Sequence, residues 1–510
     1  MKEKIHLIRV IRSMTKSEKR HFSIYTAPHG KEKAYRELFR AAATREDYGS
    51  HTARSLLPDS YVARFHSAAK QNLYKTVRRS LRSFHEKISI ETQARNLITD
   101  AEILFRRSLW DECEELLSRA ETLCDQYEKL YVLNEIYPWK RKLIYEQALP
   151  FSSVKKALEE LSSRESANRE KLDNLLLLQT VHQRIFLESK RIGLARSKEE
   201  IKKLARIIHQ QTMTPGKVLS YEAGIFFHSA RIQYFFSSLN YKSGYREAVV
   251  LMDYMERNPV LLRENMGYYI SAINSLITFE FLLKKFSSLR KSLHRFKALL
   301  TSLAKDNASR YLYRKLFNFL YSLELPLLSE VGEIRPLLHL VSEIEKLLDE
   351  DPDLMTERLK PVFYFQLSAA YYSDSNYKKA LLWLNRLLDD RSFTYRQDIQ
   401  VEVRFYAVLL YFEMGDLDLM DSVTRSIGRY LKRKSMTFEA ESSIINFLKN
   451  ILPGLNADQR LQRECLMLQN KLKNIRKKNK IERLPDFVDY WLESKIKGKS
   501  YVQVLRDLNT

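Results

Sequence analysis

The sequence predicts an all-α protein built as an array of helical hairpins. Three observations carry that prediction. Apolar residues recur at three- and four-residue spacing along most of the 510 residues. The chain holds only 12 Gly and 12 Pro, too few for the many turns of a strand-rich fold but enough for helices with short connectors. Several stretches also share one order: a helix with a small residue on its apolar face, a polar turn, then a second apolar helix, in most cases opening on an aromatic. A chain of this length exceeds one compact core, so several domains or a stacked array must bury its 45% hydrophobic residues.

Residues 1–90 read as a basic helical module. Ile5, Leu7, Ile8 and Ile11 mark a short amphipathic helix. Thr15-Lys-Ser-Glu18 is a capping-box pattern, with Thr15 able to bond the Glu18 N–H and Glu18 able to reach back. The helix it opens carries Phe22, Ile24 and Tyr25 and ends near Pro28-His29-Gly30, a turn signal. Tyr35, Leu38 and Phe39 make a third helix, and 47–60 is the least regular stretch. From Ser60 to Lys87 one long basic helix is predicted. Val62, Phe65, Ala69, Leu73, Val77, Leu81 and Phe84 form its apolar stripe, and Arg64, Lys75, Arg78, Arg79 and Arg82 lie mostly off it.

Residues 92–125 hold the first hairpin. Ala101 and Leu104 end its first helix, and Trp110, Cys113, Leu117 and Ala120 carry the second. Leu130–Ala148 gives another helix, and 151–210 three more. Within these, 172–187 is apolar nearly all round and is expected to be buried on two sides. Thr212-Met-Thr-Pro-Gly216 is the clearest interior linker. Tyr221–Leu239 and Tyr245–Met255 form the next pair, in a register left open between Tyr241 with Gly244 and Tyr245 with Ala248. Residues 267–300 and 309–350 continue the pattern with weaker matches, and Pro326 and Pro336 are expected to bracket a loop.

The clearest unit is Pro361–Asp390. Tyr364, Leu367, Ser368 and Tyr371 share one helical face; 373–376 is a polar break; Tyr377, Ala380, Leu381, Leu384, Leu387 and Leu388 form the second stripe. Pro361 fits an opening helical turn, where its missing N–H has no partner to lose. Large-x-x-Leu-small-x-x-Tyr, a turn, then Tyr-x-x-Ala-x-x-x-large-x-x-large resembles the tetratricopeptide (TPR) repeat, with Ser368 standing where that repeat has Gly or Ala. A second hairpin spans 401–433 through Tyr411, Gly415, Leu417, Met420 and Ile427. Residues 438–452 and 465–480 follow as helices. The C-terminal segment carries an aromatic stripe, Phe487, Tyr490 and Trp491, suited to covering a last exposed face. The segment Thr15–Phe22, TKSEKRHF, is also similar to one found in uncharacterised bacterial TPR-like proteins.

The resemblance implies a TPR-like α–α superhelix with helical caps. The expected divisions are 1–90 (basic module), 91–211 and 212–455 (hairpins) and 456–510 (basic capping helices). The first helix of each pair lines the concave face of such an array. There the two clearest hairpins would present Phe365, Ala369 and Tyr372, then Glu402, Phe405, Leu409 and Phe412. These residues would anchor a peptide or partner helix, or else pack against the adjoining repeat.

The net charge is +23, concentrated at the two ends of the chain. Arg78, Arg79 and Arg82, with the Arg476, Lys477, Lys478 and Lys480 run, are the candidates for contacting a polyanion, although cations also solvate ordinary helix faces. No phosphate-cradling Gly loop, HExxH or Gly-x-Ser-x-Gly occurs, and Cys113, Cys124 and Cys465 have no metal-binding spacing. The sequence therefore predicts a cytoplasmic, non-enzymatic protein- or peptide-binding scaffold with no metal or cofactor. The alternative is a nucleic-acid-associated regulator, a variant of which resembles bacterial peptide-sensing TPR regulators.

Overall fold

The computed structural model describes residues 2–27, 33–44, 66–87, 89–147, 150–195, 197–209, 218–305, 310–351, 354–357, 359–390, 393, 397–433, 439–451, 458–478 and 486–509. These residues form 24 helices and no strand, so the all-α class expected from the sequence holds. The chain divides into two compact units, Met1–Leu172 and Asp173–Thr510. No helix among the described residues is long and apolar enough to cross a membrane.

The first unit begins with α1 (Lys2–Ser13), α2 (Lys16–Tyr25), α3 (Lys33–Thr44) and α4 (His66–Phe84). They close around Leu7, Ile11, Phe22, Leu38, Leu73 and Val77. The capping box forms at α2: Thr15 N–H donates to Glu18 at 2.6 Å, and Thr15 Oγ1 accepts from the Glu18 N–H at 3.2 Å. Then α5 (Ile90–Phe105), α6 (Trp110–Gln126) and α7 (Leu130–Glu146) pack mutually, burying Ala101, Cys113, Leu117 and Ala120.

The run from Phe151 to Ile192 is one helix, α8, where shorter helices were expected. It contains no Gly or Pro, so nothing interrupts it until Gly193, at φ 69°. Nor is its 172–187 stretch buried on two sides. Leu175, Leu178, Val181 and Ile185 are buried, whereas Leu176, Leu177 and Leu187 are exposed. The Leu run satisfies one buried face and spills onto the solvent face.

The second unit continues with α9 (Lys198–Ile208), α10 (Tyr221–Ser237), α11 (Tyr241–Glu256), α12 (Pro259–Glu264), α13 (Met266–Leu282), α14 (Phe286–Lys305), α15 (Arg310–Glu330), α16 (Ile334–Glu350), α17 (Lys360–Ser373), α18 (Tyr377–Asp389), α19 (Gln397–Met414), α20 (Leu417–Arg433), α21 (Glu439–Ile451), α22 (Asp458–Lys478), α23 (Asp486–Lys497) and α24 (Tyr501–Asn509). The first helices of successive hairpins touch in sequence, α13 to α15 to α17 to α19, while α14, α16, α18 and α20 each lie against both their own partner and the next helix in the chain. The expected linker at Thr212–Gly216 lies outside the described residues.

One turn geometry joins these pairs. In the 375–376 turn, Ser375 N–H donates to the Tyr372 carbonyl and Asn376 N–H to the Tyr371 carbonyl, with Ser375 at φ 59°. This is a Schellman-type stop, in which a left-handed residue returns two N–H groups to the end of the helix. The same pair of bonds recurs at Ser108, Glu128, Leu239, Lys284, Gly332 and Gly415, all with positive φ. The next residue caps the second helix in three of these turns: Asn240, Asn376 and Asp416 accept the N–H of Ser243, Lys379 and Leu419. This cap aligns Asn240-Tyr241-x-x-Gly244 with Asn376-Tyr377-x-x-Ala380 and settles the open register in favour of Tyr241. A Cβ on Gly244 would strike the Phe279 ring, so only glycine allows α11 that close to α13.

Pro326 and Pro336 bracket the short turn at 331–333, but neither lies in it. Pro326 lies inside α15 and Pro336 in the first turn of α16. A proline within a helix frees the carbonyl four residues earlier, here that of Ser322. Gln366 Nε2 of α17 donates to this carbonyl at 2.7 Å, so a neighbouring helix supplies the bond that Pro326 cannot.

Candidate functional site: an aromatic cavity within the second unit

The layer α13, α15, α17 and α19 borders a cavity of about 600 Å³, whose wall is completed by residues of α10, α21, α23 and α24 and by Leu194, Ala195 and Leu239. The small residue Ser368 sets how closely its neighbours approach. Fully buried, its hydroxyl donates to the Ala380 carbonyl at 2.7 Å, tying α17 to α18. Its oxygen accepts the Tyr406 hydroxyl at 3.0 Å, tying α17 to α19. Gly or Ala here would permit the same approach but leave the Tyr406 hydroxyl buried without its partner. Burial raises the pKa of that phenol, and the Ser368 contact opposes the shift.

Rings knit this wall together. Tyr406 meets Phe365 edge-on at 5.2 Å and Tyr372 at 5.6 Å, and Tyr372 meets Tyr501 of α24 at 5.3 Å. The C-terminal helices therefore pack on the layer of α15, α17 and α19. Tyr490 donates to Glu330, Arg506 Nε to the Gly332 carbonyl at 3.0 Å, and Trp491 Nε1 to Glu413 at 2.7 Å. The aromatic stripe of α23 thus packs inward on α15 and α19, a longer reach than covering a terminal face.

Six of the seven sequence-predicted groove residues, Phe365, Ala369, Tyr372, Glu402, Phe405 and Leu409, line this one cavity. Phe412 does not. Trp491 meets its ring edge-on at 5.2 Å and Lys495 Nζ lies 5.4 Å from its centroid. Phe405, at 1% exposure, and Tyr372, at 6%, are core residues as well as lining. Tyr406, Gln366, Phe487, Tyr490 and Tyr501 also line the cavity. No local pattern marks Gln366, because its role depends on a proline forty residues earlier in the chain. The C-terminal rings were visible as a stripe, but their destination was not.

The charge of the lining is one-sided. Its charged members are Glu330, Glu402 and Glu441, and no Lys, Arg or His is present among the described lining residues. Glu330 also lies 3.4 Å from Lys284. The amide of Gln366 points its nitrogen at the Ser322 carbonyl, and its buried Oε1 has no hydrogen-bond partner.

The predicted polyanion contacts fall elsewhere. Arg78, Arg79 and Arg82 are exposed on α4 with Lys75, at spacings that share one helix face. None has a carboxylate partner among the described residues, and Arg78 lies 5.7 Å over the Tyr74 ring. The side chains of Arg476, Lys477 and Lys478, at the end of α22, and all of Lys480 lie outside the described residues.

Other reactive residue types sit in structural roles. Cys113, Cys124 and Cys465 are buried free thiols, and burial pushes Cys124 and Cys465 up to about 12. That is the opposite of an activated nucleophile. His228 Nδ1 and Arg231 Nε both contact Glu247, at 2.8 and 2.9 Å. No group of three His, Cys, Asp or Glu side chains able to hold a metal occurs among the described residues. Compared with family models, curated proteins and solved structures, the chain matches none.

Proposed function

We propose that the second unit is a TPR-like superhelix that binds a peptide segment of a protein partner in the aromatic cavity, without catalysis. The observation that carries this reading is that six residues expected on a concave face line one cavity, walled by the first helices of four successive hairpins. Its volume of about 600 Å³ lies within the range of roughly 300–1,000 Å³ typical of ligand pockets. Rigid rings at its edge supply contact area at low entropic cost. The test is photo-crosslinking in cells, with a benzophenone amino acid at position 369 in the cavity or at position 382, an exposed site on α18. A discrete partner captured from position 369 and absent from position 382 is expected. Identical capture from both positions, or from neither, overturns the reading.

A second reading is favoured by the exposed cations Lys75, Arg78, Arg79 and Arg82 on α4, which have no carboxylate partner among the described residues: contact with a nucleic-acid backbone. Each phosphate neutralised on duplex DNA contributes about −0.9 to the slope of log K against log salt. Alanine at Arg78, Arg79 and Arg82 should flatten that slope by about 2–3 units. An unchanged slope removes the ridge from the interface.

A further inference from the structure

We propose that α4 enters the major groove of duplex DNA, with Gln71 and Asn72 at the base edges and Lys75, Arg78, Arg79 and Arg82 on the flanking phosphates. This rests on the nucleic-acid reading of α4 above, and adds to it the kind of duplex contacted and the residues that tell one sequence from another.

Six side chains share one arc of this helix. With about 3.6 residues per turn, Gln71, Asn72, Lys75, Arg78, Arg79 and Arg82 fall within about 120° of one another. All six are exposed. Ala69, Leu73, Val77 and Ser80 lie on the opposite side, buried where α1, α2 and α3 touch α4. The first bundle therefore presents the arc outward.

A face that only keeps a helix in solvent mixes the two signs of charge, as exposed helix faces elsewhere in this chain do. Arg95 pairs with Glu91, Lys155 with Glu159 and Arg425 with Asp421, each four residues away. The span His66–Phe84 holds no Asp or Glu at all. Lys75 and Arg79, and likewise Arg78 and Arg82, stand four residues apart, where like charges repel. A polyanion relieves that repulsion, and no carboxylate among the described residues does so.

Dimensions and donor chemistry select the duplex. An α-helix with its side chains is about 10–12 Å across, and the major groove of B-DNA is about 12 Å wide. The deep, narrow major groove of double-stranded RNA shuts such a helix out. An anionic membrane surface calls for large apolar side chains among the cations, and the arc carries none. Gln71 and Asn72 make no side-chain hydrogen bond among the described residues. They lie toward the N-terminal end of α4, the end from which groove-lying helices reach base edges. Their amides can donate to adenine N7 and accept from its N6 amine, a pattern read only in the major groove. The arginines, about 10–16 Å further along the axis, meet the backbone that borders the groove.

The experiment selects binders from a random duplex DNA pool with the full chain at low salt. Selected duplexes are expected to share an adenine position. Gln71→Ala or Asn72→Ala should lose the preference there by roughly tenfold and leave the salt slope unchanged. Arg79→Ala should weaken selected and scrambled duplexes alike and flatten the slope by about 0.9. Alanine is a better helix former than Gln or Asn, so these exposed changes keep α4 folded, which circular dichroism checks. An adenine preference that survives both amide changes overturns the assignment of Gln71 and Asn72. Equal binding of selected and scrambled duplexes, or tighter binding to double-stranded RNA, overturns groove reading and leaves backbone contact standing. No binding to any duplex, or binding only to phosphatidylserine vesicles, removes the nucleic-acid reading as well.

Discussion

The aromatic cavity of the second unit and the basic ridge of α4 place candidate recognition residues in opposite physical settings. On the ridge, Arg78, Arg79 and Arg82 are exposed and have no ion-pair partner among the described residues, so the described fold gains little from them. In the cavity, Phe405 and Tyr372 hold the first helices of two hairpins together and also form the surface a ligand would meet. The lesson is that cavity and ridge cannot be probed by the same mutations. Large-to-alanine changes in the cavity confound binding with folding, whereas filling substitutions such as Ala369→Trp separate them.

The largest expected effect tests this contrast directly. Phe405→Ala removes a ring that is 1% exposed, at a cost of about 3–5 kcal/mol. Alanine at Arg78, Arg79 or Arg82 should change stability by no more than about 0.5 kcal/mol each. Chemical denaturation followed by circular dichroism reads both, and equal midpoints for Phe405→Ala and the arginine variants would erase the distinction.

Next in size is the bond across the cavity wall. Gln366→Leu leaves the Ser322 carbonyl unpaired and should cost about 1–3 kcal/mol. Pro326→Ala returns an N–H to that carbonyl, so the same change made in the Pro326→Ala background should cost measurably less. Additive effects in this double-mutant cycle would refute the link between the proline and the glutamine.

A pH titration compares these neutral contacts with a charged one inside the same unit. Burial raises the Glu247 carboxyl, but the hydrogen bond from His228 and the charge of Arg231 lower it further, leaving its pKa below the ordinary value of 4.5. A carboxylate depressed in the folded state contributes stability in full above its unfolded pKa, and loses it as pH falls through the lower folded value. The melting temperature should therefore fall as pH drops below about 4.5, and more steeply than in Glu247→Gln. Parallel curves for the two proteins would show that the His228–Glu247–Arg231 cluster adds nothing.

The smallest effect concerns the shared turn. Ser375 occupies the left-handed region, where a side chain is strained and glycine is not. Ser375→Gly should raise stability by roughly 0.5–1 kcal/mol, and Gly415→Ala should lower it by a similar amount. A destabilising Ser375→Gly would mean that the turn is held by side-chain contacts rather than by backbone geometry.

The sequence by itself determined the helical class, the capping box at Thr15 and Glu18, the hairpin at 361–390 and six of the cavity residues. These are local facts: a 3.6-residue period, a cap three residues from its partner, a small residue beside an aromatic. Tertiary structure alone decided what depends on residues far apart in the chain. Pro326 reads as a breaker until Gln366 is seen to satisfy the freed carbonyl. Ser368 reads as a departure from the repeat until Tyr406 is found donating to it. The repeated turn is equally hidden, because Ser, Glu, Leu, Lys and Gly all occupy its left-handed position. Phe487, Tyr490 and Trp491 were legible as an apolar face, but one helix's sequence fixes only that it has such a face. Which surface covers that face depends on the free energy of the whole packed layer.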